Sequence, residues 1–254
     1  MKTRYTAFAV SLGLLVAFSE AHGQAPDGKN DVAIATTRLQ QQYLTSFPQH
    51  PQLLNGPEYV NYTLRYHAHT GHQFFLVSEK QAGSVHYNKH DFGHVYLLYD
   101  LVLDQLVLSD ISSPLMLSLI HERVREFTIG NHRFIRLVAD STLGKVVRPG
   151  YYETLLGDGG AKPVQVLAKR AKRMQENVAQ QHVDVEFITN DRFFLYKAGQ
   201  YYPVSSKSSV LSPLADHGKE LQQFVQAHRL RFKKATREAS VVQLVTYYNT
   251  LAAH

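Results

Sequence analysis

From Tyr59 to about Val204 the chain consists of short runs rich in Val, Ile, Tyr and Phe, broken by Gly, Asn, Asp and Pro. This pattern limits the possible folds more than any other feature of the sequence. Branched and aromatic side chains suit a pleated surface and the breakers supply turns, so the region reads as strands joined by short links. Expected strands are His72 to Val77, Ser84 to Tyr87, His94 to Leu103, Leu106 to Ser109, Leu115 to Ile120, Arg123 to Ile129, His132 to Val138, Tyr151 to Leu156, Val183 to Ile188, Phe193 to Lys197 and Tyr201 to Val204. Short links favour antiparallel pairing, because a parallel crossover consumes a dozen or more residues. Gly130-Asn131 and Ala198-Gly199 carry turn chemistry, whereas Asn190-Asp191 lacks the Gly of a strong hairpin signal. Along Arg123 to Ile129 the sets Val124, Glu126, Thr128 and Arg123, Arg125, Phe127, Ile129 alternate, but neither is purely apolar. Such strands are expected to keep one side wet.

The period changes on either side of this region. Val32, Leu39, Tyr43 and Phe47 recur at helical multiples after a possible Asp31 N-cap, and Pro48 and Pro51 end that pattern. Leu221, Phe224, Val225 and His228 line one face of a helix from about Asp216, and Val241, Leu244, Val245, Tyr248 and Leu251 line a longer one from about Thr236. Strands followed by helices imply an α+β fold: a mainly antiparallel β-sheet, meander or sandwich-like, with C-terminal α-helices and a short N-terminal helix. The expected divisions are 1–23, 24–54 (polar lead and helix), 55–206 (β region) and 207–254 (helices packed on the sheet).

Residues 1–23 read as a cleavable signal peptide. Lys2 and Arg4 precede an apolar stretch from Thr6 to Phe18, and small Ala21 and Gly23 stand before a cut at Gln24. The stretch is shorter than the roughly 20 residues a membrane span needs, so no transmembrane segment is expected after cleavage. Export to the periplasm or the cell exterior makes nucleic acid an unexpected partner. Cleavage lowers the formal net charge from +6 to +5. The chain has no cysteine, which excludes disulfides, thiolate nucleophiles and lipid attachment through Cys. Most runs are shorter than the 9 to 11 residues of an outer-membrane strand, and a helical C-terminus follows, which argues against a membrane barrel.

The series Asn55-Gly56-Pro57-Glu58-Tyr59, Gly71-His72-Gln73-Phe74-Phe75, Gly83-Ser84-Val85-His86-Tyr87, Tyr99-Asp100, Gly150-Tyr151-Tyr152-Glu153 and Tyr201-Tyr202-Pro203-Val204 resembles a set of uncharacterised exported proteins of Gram-negative bacteria. The resemblance spans most of the chain after residue 23. Its motifs are turn glycines and aromatics rather than reactive groups, so it implies export and a β-rich fold and no activity.

Histidine is the strongest candidate for chemistry. His67, His69 and His72 lie close together, and His86, His90, Asp91 and His94 follow on a neighbouring hairpin. Imidazole suits zinc, and alternate strand residues such as His67 and His69 share a side, so His67, His69, His72 and His86 form a possible zinc set. Asn88 to Gly93 reads as a turn, not as a metal-binding helix. Asp100 and Asp104, with Glu58 and Glu153 elsewhere, are candidate acid and base groups, but four residues of extended chain separate the two aspartates too far for a retaining glycosidase. Asp104 suits a turn, and Asp100 suits bonds to backbone or a basic neighbour. Ser141, Ser205 and Ser206 lack a nucleophile-elbow context, and Gly157-Asp158-Gly159-Gly160-Ala161-Lys162 lacks the ending of a phosphate loop.

Two basic clusters, Lys162, Lys169, Arg170, Lys172, Arg173 and Arg229, Arg231, Lys233, Lys234, Arg237, read as solvated faces that could attract a polyanion. The pairs Tyr151-Tyr152, Tyr201-Tyr202 and Tyr247-Tyr248 permit a carbohydrate or protein contact surface, and alternation should place one ring of each strand pair outward, where it covers the sheet or meets a ligand. No acid, base or nucleophile stands in a context that tunes it. The expected function is therefore that of an exported, soluble, non-enzymatic domain, without cofactor, that binds an envelope component, a protein, a glycan or a polyanion. The alternative is a histidine-dependent, zinc-binding protein or hydrolase.

Overall fold

The computed structural model describes residues 50–109, 115–139, 146–157, 163–179 and 182–252. The signal peptide, the helix expected up to Phe47 and most of the Gly157–Lys162 stretch lie outside the described residues. The fold is α+β, dominated by antiparallel sheet with helices at the C-terminal end. Its strands are β1 (His69–Thr70), β2 (Gln81–Tyr87), β3 (His90–Asp100), β4 (Gln105–Ser109), β5 (Met116–Ser118), β6 (Val124–Ile129), β7 (His132–Leu137), β8 (Gly150–Leu156), β9 (Val164–Lys169), β10 (Lys172–Ala179), β11 (His182–Thr189), β12 (Arg192–Lys197) and β13 (Gln200–Val204). The helices are α1 (Lys207–Leu211), α2 (Gly218–Ala227) and α3 (Arg237–Leu251). Among the described residues no helix is long and apolar enough to cross a membrane.

Ten strands form one sheet in the order β13-β12-β9-β8-β7-β6-β2-β3-β4-β5, and β1-β11-β10 form a smaller one. The order is that of two meanders joined side by side. β2 to β5 run outward to one edge, and the chain then returns to lay β6 against β2 before running to the other edge. The β10–β11 hairpin leaves the large sheet between β9 and β12 and takes β1 as a parallel third strand.

One face of the large sheet carries two apolar clusters. Val85, Tyr87, Leu97, Tyr99, Leu106, Phe127, Phe134 and Tyr151 belong to the first, formed over β2 to β8. Val166, Leu195 and Val204 join Leu221, Val225, Val241, Leu244 and Tyr248 in the second, where the helices pack. Asn249 closes the helix contact by exchanging two hydrogen bonds with the backbone of Val164, donating at 2.9 Å and accepting at 3.0 Å.

Bulges explain the mixed faces of the sequence. Tyr87 pairs with Val124 while His86 pairs with Glu126, so Arg125 is an extra residue and Val124 regains the inward side of Phe127 and Ile129. A second irregularity, where Val85 faces Phe92 and Gly83 faces Val95, holds His94 at φ +57°. The outer face of part of the sheet is covered as well. Tyr59, Phe74, Leu98 and Val107 form one outer cluster, and Val147, Tyr152, Leu167 and Phe194 another. Tyr151 and Tyr152 are therefore both buried, contrary to the expected outward ring, because β8 is covered on both sides.

Three further expectations are corrected. His72 to Val77 is a loop whose only strand-type pairing is a Phe74–Asp100 bridge, since Gly71 at φ +79° and Leu76 at φ 57° break extended pairing. The turn expected over Asn88 to Gly93 contracts to Asn88-Lys89, both at positive φ, and β3 begins at His90. Lys169, Arg170 and Lys172 of the first basic cluster are not on a solvated face, whereas Arg173 is exposed and Lys162 lies outside the described residues. Lys169 and Arg170 end β9 and connect to β10, and their charges are held internally, as described below.

Candidate functional site

The segment between Tyr59 and Phe75 crosses the outer face of β3, β4 and β5, and its attachment is polar. Asp100, fully buried, accepts hydrogen bonds from the Tyr59 hydroxyl at 2.7 Å, the Tyr62 hydroxyl at 3.2 Å and the amides of Val102 and Leu103 at 2.8 and 3.0 Å. Burial, and secondarily the Asp100 charge, pushes both tyrosines well above their ordinary range, so they remain neutral donors. Gln73 donates to Asn61 Oδ1 at 3.2 Å, and Asn61 Oδ1 also accepts from the Thr63 amide and hydroxyl. Lys172 Nζ donates to the carbonyls of His72 and Phe74 at 2.7 and 2.8 Å. Burial lowers the Lys172 pKa from its ordinary value. These bonds fix a stretch of backbone that is irregular apart from the two residues of β1 and meets strand backbone at a few points only.

A cleft of about 240 Å³ opens where this segment meets β11. Asn61, Thr63, His69, His72, Gln73 and Ser78 provide its polar groups, and Phe74 and Phe187 provide aromatic surface. His69 Nε2 lies 2.7 Å from the Thr63 carbonyl, so that nitrogen carries the proton and Nδ1 is left as an acceptor in the neutral ring. Burial, with Lys172 nearby, lowers the His72 pKa, so its ring is neutral at pH 7. Among the described residues His72 Nδ1 is buried without a hydrogen-bond partner. Buried polar atoms in folded proteins are nearly always paired, and this nitrogen is an exception.

The four histidines proposed as a zinc set do not converge. His69 and His72 line the cleft. His67, in a bend before β1 and so free of strand alternation, turns instead toward His182 and Asp184 of β11. His86 stands on the large sheet, where its Nδ1 is 2.6 Å from Asp91 Oδ1. It shares a second groove of about 260 Å³ with Ser84, Thr128, Glu126 and Arg133. Ser84 Oγ pairs with Thr128 Oγ1 at 2.9 Å rather than with the His86–Asp91 pair, and Arg133 is bound to Glu126 at 2.7 Å. The groove thus lacks the serine-to-histidine bond of an activated nucleophile.

Asp104 and Glu153, like Asp100, have structural partners, whereas Glu58 is exposed. Asp104, at φ 56° in the β3–β4 turn, accepts from the Tyr99 hydroxyl at 2.5 Å and meets Lys169 Nζ at 2.6 Å. Burial lowers the Lys169 pKa and raises that of Tyr99. Glu153, almost fully buried, is paired with Arg170 at 2.5 Å and with His132. Arg170 continues to Asp191 at 2.8 Å and to Glu238 of α3 at 2.7 Å. Sequence reasoning placed these basic residues in solvent because their partners are remote along the chain. His182 and Asp184 were missed for the same reason, although their alternate spacing on a strand was a usable signal.

No family model, curated protein or solved structure matches the chain.

Proposed function

We propose that this protein is an exported, soluble, non-enzymatic domain that binds a neutral glycan of the cell envelope in the His69–His72 cleft. The observation that carries the reading is the cleft that His69 and His72 line together with Asn61, Thr63, Gln73 and Phe187. The rest of the lining supports the choice of ligand. Its polar groups are amides, hydroxyls and neutral-capable imidazoles, with aromatic surface beside them and no Lys, Arg, Asp or Glu among the lining residues. A hydroxyl-rich, uncharged ligand can pair with such a set without stranding a charge, whereas an anionic or cationic group would lack a counter-charge. Export is read from residues 1–23 of the sequence alone.

Calorimetric titration with neutral oligosaccharides, such as oligomers of N-acetylglucosamine, tests the reading. Saturable binding is expected, weakened about ten-fold or more by His72→Ala and in part restored by His72→Asn, which returns a hydrogen-bonding group. Binding that is absent, or equal in the wild type and His72→Ala, rejects the proposal.

A further inference from the structure

We infer that His67, His182 and Asp184 form a binding site for a divalent d-block metal ion of the zinc class, separate from the cleft and independent of its ligand. β11 supplies two of the groups, because His182 and Asp184 are two residues apart and alternation turns them to the same side. The third is brought in by backbone. The His67 amide donates to the Val183 carbonyl at 2.9 Å, which anchors His67 beside the residue between the other two.

The side chains then converge on the carboxylate. His67 Nδ1 lies 3.2 Å from Asp184 Oδ1, and His182 Nε2 lies 3.9 Å from Asp184 Oδ2. The two imidazole centroids are 4.4 Å apart, and one ligand atom from each of the three residues lies within 4.8 Å of the others. A simple His67–Asp184 hydrogen bond accounts for one imidazole only. It leaves His182 turned to the same carboxylate at a distance too long for a hydrogen bond. A central ion accounts for both rings. Zinc bonds of about 2.0–2.2 Å in tetrahedral array place ligand atoms about 3.3–3.5 Å apart, so small side-chain rotations complete the site. Two imidazoles and a carboxylate suit zinc, copper or nickel better than magnesium or calcium. All three side chains are partly exposed, and three protein ligands leave one position for water or a group from a partner.

Among the described residues this is the one cluster of its kind. It joins the Tyr66–His67 bend to β11, where β1 supplies only the two-residue pairing His69–Val185 and Thr70–Glu186. An ion here is expected to clip down the segment that carries His69 and His72.

The experiment is zinc titration of the untagged chain by calorimetry, with His182→Ala, Asp184→Asn and, as a control, His86→Ala. One zinc per chain is expected, bound at least about ten-fold more weakly by the first two variants and equally by the control, since even the outer partners of a metal ligand typically matter on that scale. Zinc at one fixed concentration should also raise the Tm of the wild type more than that of Asp184→Asn. Absence of binding, or affinity unchanged in both ligand variants, overturns the site. If a variant fails to fold, copper(II) spin resonance of the wild type decides. Coupling to two imidazole nitrogens supports the site, and coupling to one or none overturns it.

Discussion

At Gly150 a backbone requirement and a charge pair meet. Its φ is +143°, and a Cβ built there would stand 2.3 Å from Asp104 Oδ2 and 2.7 Å from Lys169 Nζ. Gly150→Ala should therefore cost at least about 1–3 kcal/mol from backbone strain alone, read as a lower urea midpoint at unchanged slope. An unchanged midpoint would contradict the strain argument. Nearby, Tyr99 and Tyr151 have pKa values raised chiefly by burial. A folded pKa above the unfolded value means that the stabilising contribution is complete below about pH 10 and is lost as pH rises further, because only the unfolded tyrosines ionise. Lys169 and Lys172 act oppositely: with their folded values lowered, the unfolded chain binds more protons, so stability rises with pH up to the unfolded value of about 10.5 and is constant above it. Stability should consequently fall above about pH 10.5, and absorbance titration should show a group of tyrosines that ionise only on unfolding. Ionisation of all tyrosines together near pH 10 in the folded protein would refute this.

At the level of elements, turns and bulges decide what could be read from sequence. The alternation of β6 was visible in Phe127 and Ile129, but the extra Arg125 shifted Val124 out of phase and made the strand look wet on one side. β9 and β10 escaped notice because Lys169, Arg170 and Lys172 resemble a solvated run. Their burial depends on Asp104, Glu153, Asp191 and the carbonyls of His72 and Phe74, which no local pattern reveals. The site follows the same rule. His67, His69 and His72 were identifiable by type, yet the Asp184 that His67 meets is 117 positions away in sequence. The β2–β3 hairpin gives an element-scale prediction. Asn88 and Lys89 both adopt left-handed conformations, at φ 50° and 69°, as a primed two-residue turn requires. Lys89→Gly removes the Cβ penalty and should stabilise the protein by up to about 1 kcal/mol in chemical denaturation. Destabilisation would mean that Lys89 contributes more than its backbone conformation.

Over the whole molecule, Arg170 ties the helical end to the sheet. One guanidinium joins Glu153 of β8, Asp191 before β12 and Glu238 of α3. Arg170→Met leaves Glu153 buried without its counter-charge and should destabilise the protein by about 3–5 kcal/mol, with loosened α3 amides in hydrogen exchange. Loss of less than about 1 kcal/mol would show that His132 alone satisfies Glu153. The second basic cluster, by contrast, lies between α2 and α3, with Arg229, Lys233 and Lys234 exposed. The central claim concerns the cleft on the opposite layer of the fold, where Asp100, Gln73 and Lys172 hold an irregular segment so that His69 and His72 face a shared space. The measurement that tests it most directly is the imidazole nitrogen spectrum of the isotope-labelled chain during titration with a neutral oligosaccharide. The account predicts saturable shifts at His69 and His72, with His86 and His217 unmoved. No shift at His72, or equal shifts at all four, would contradict it.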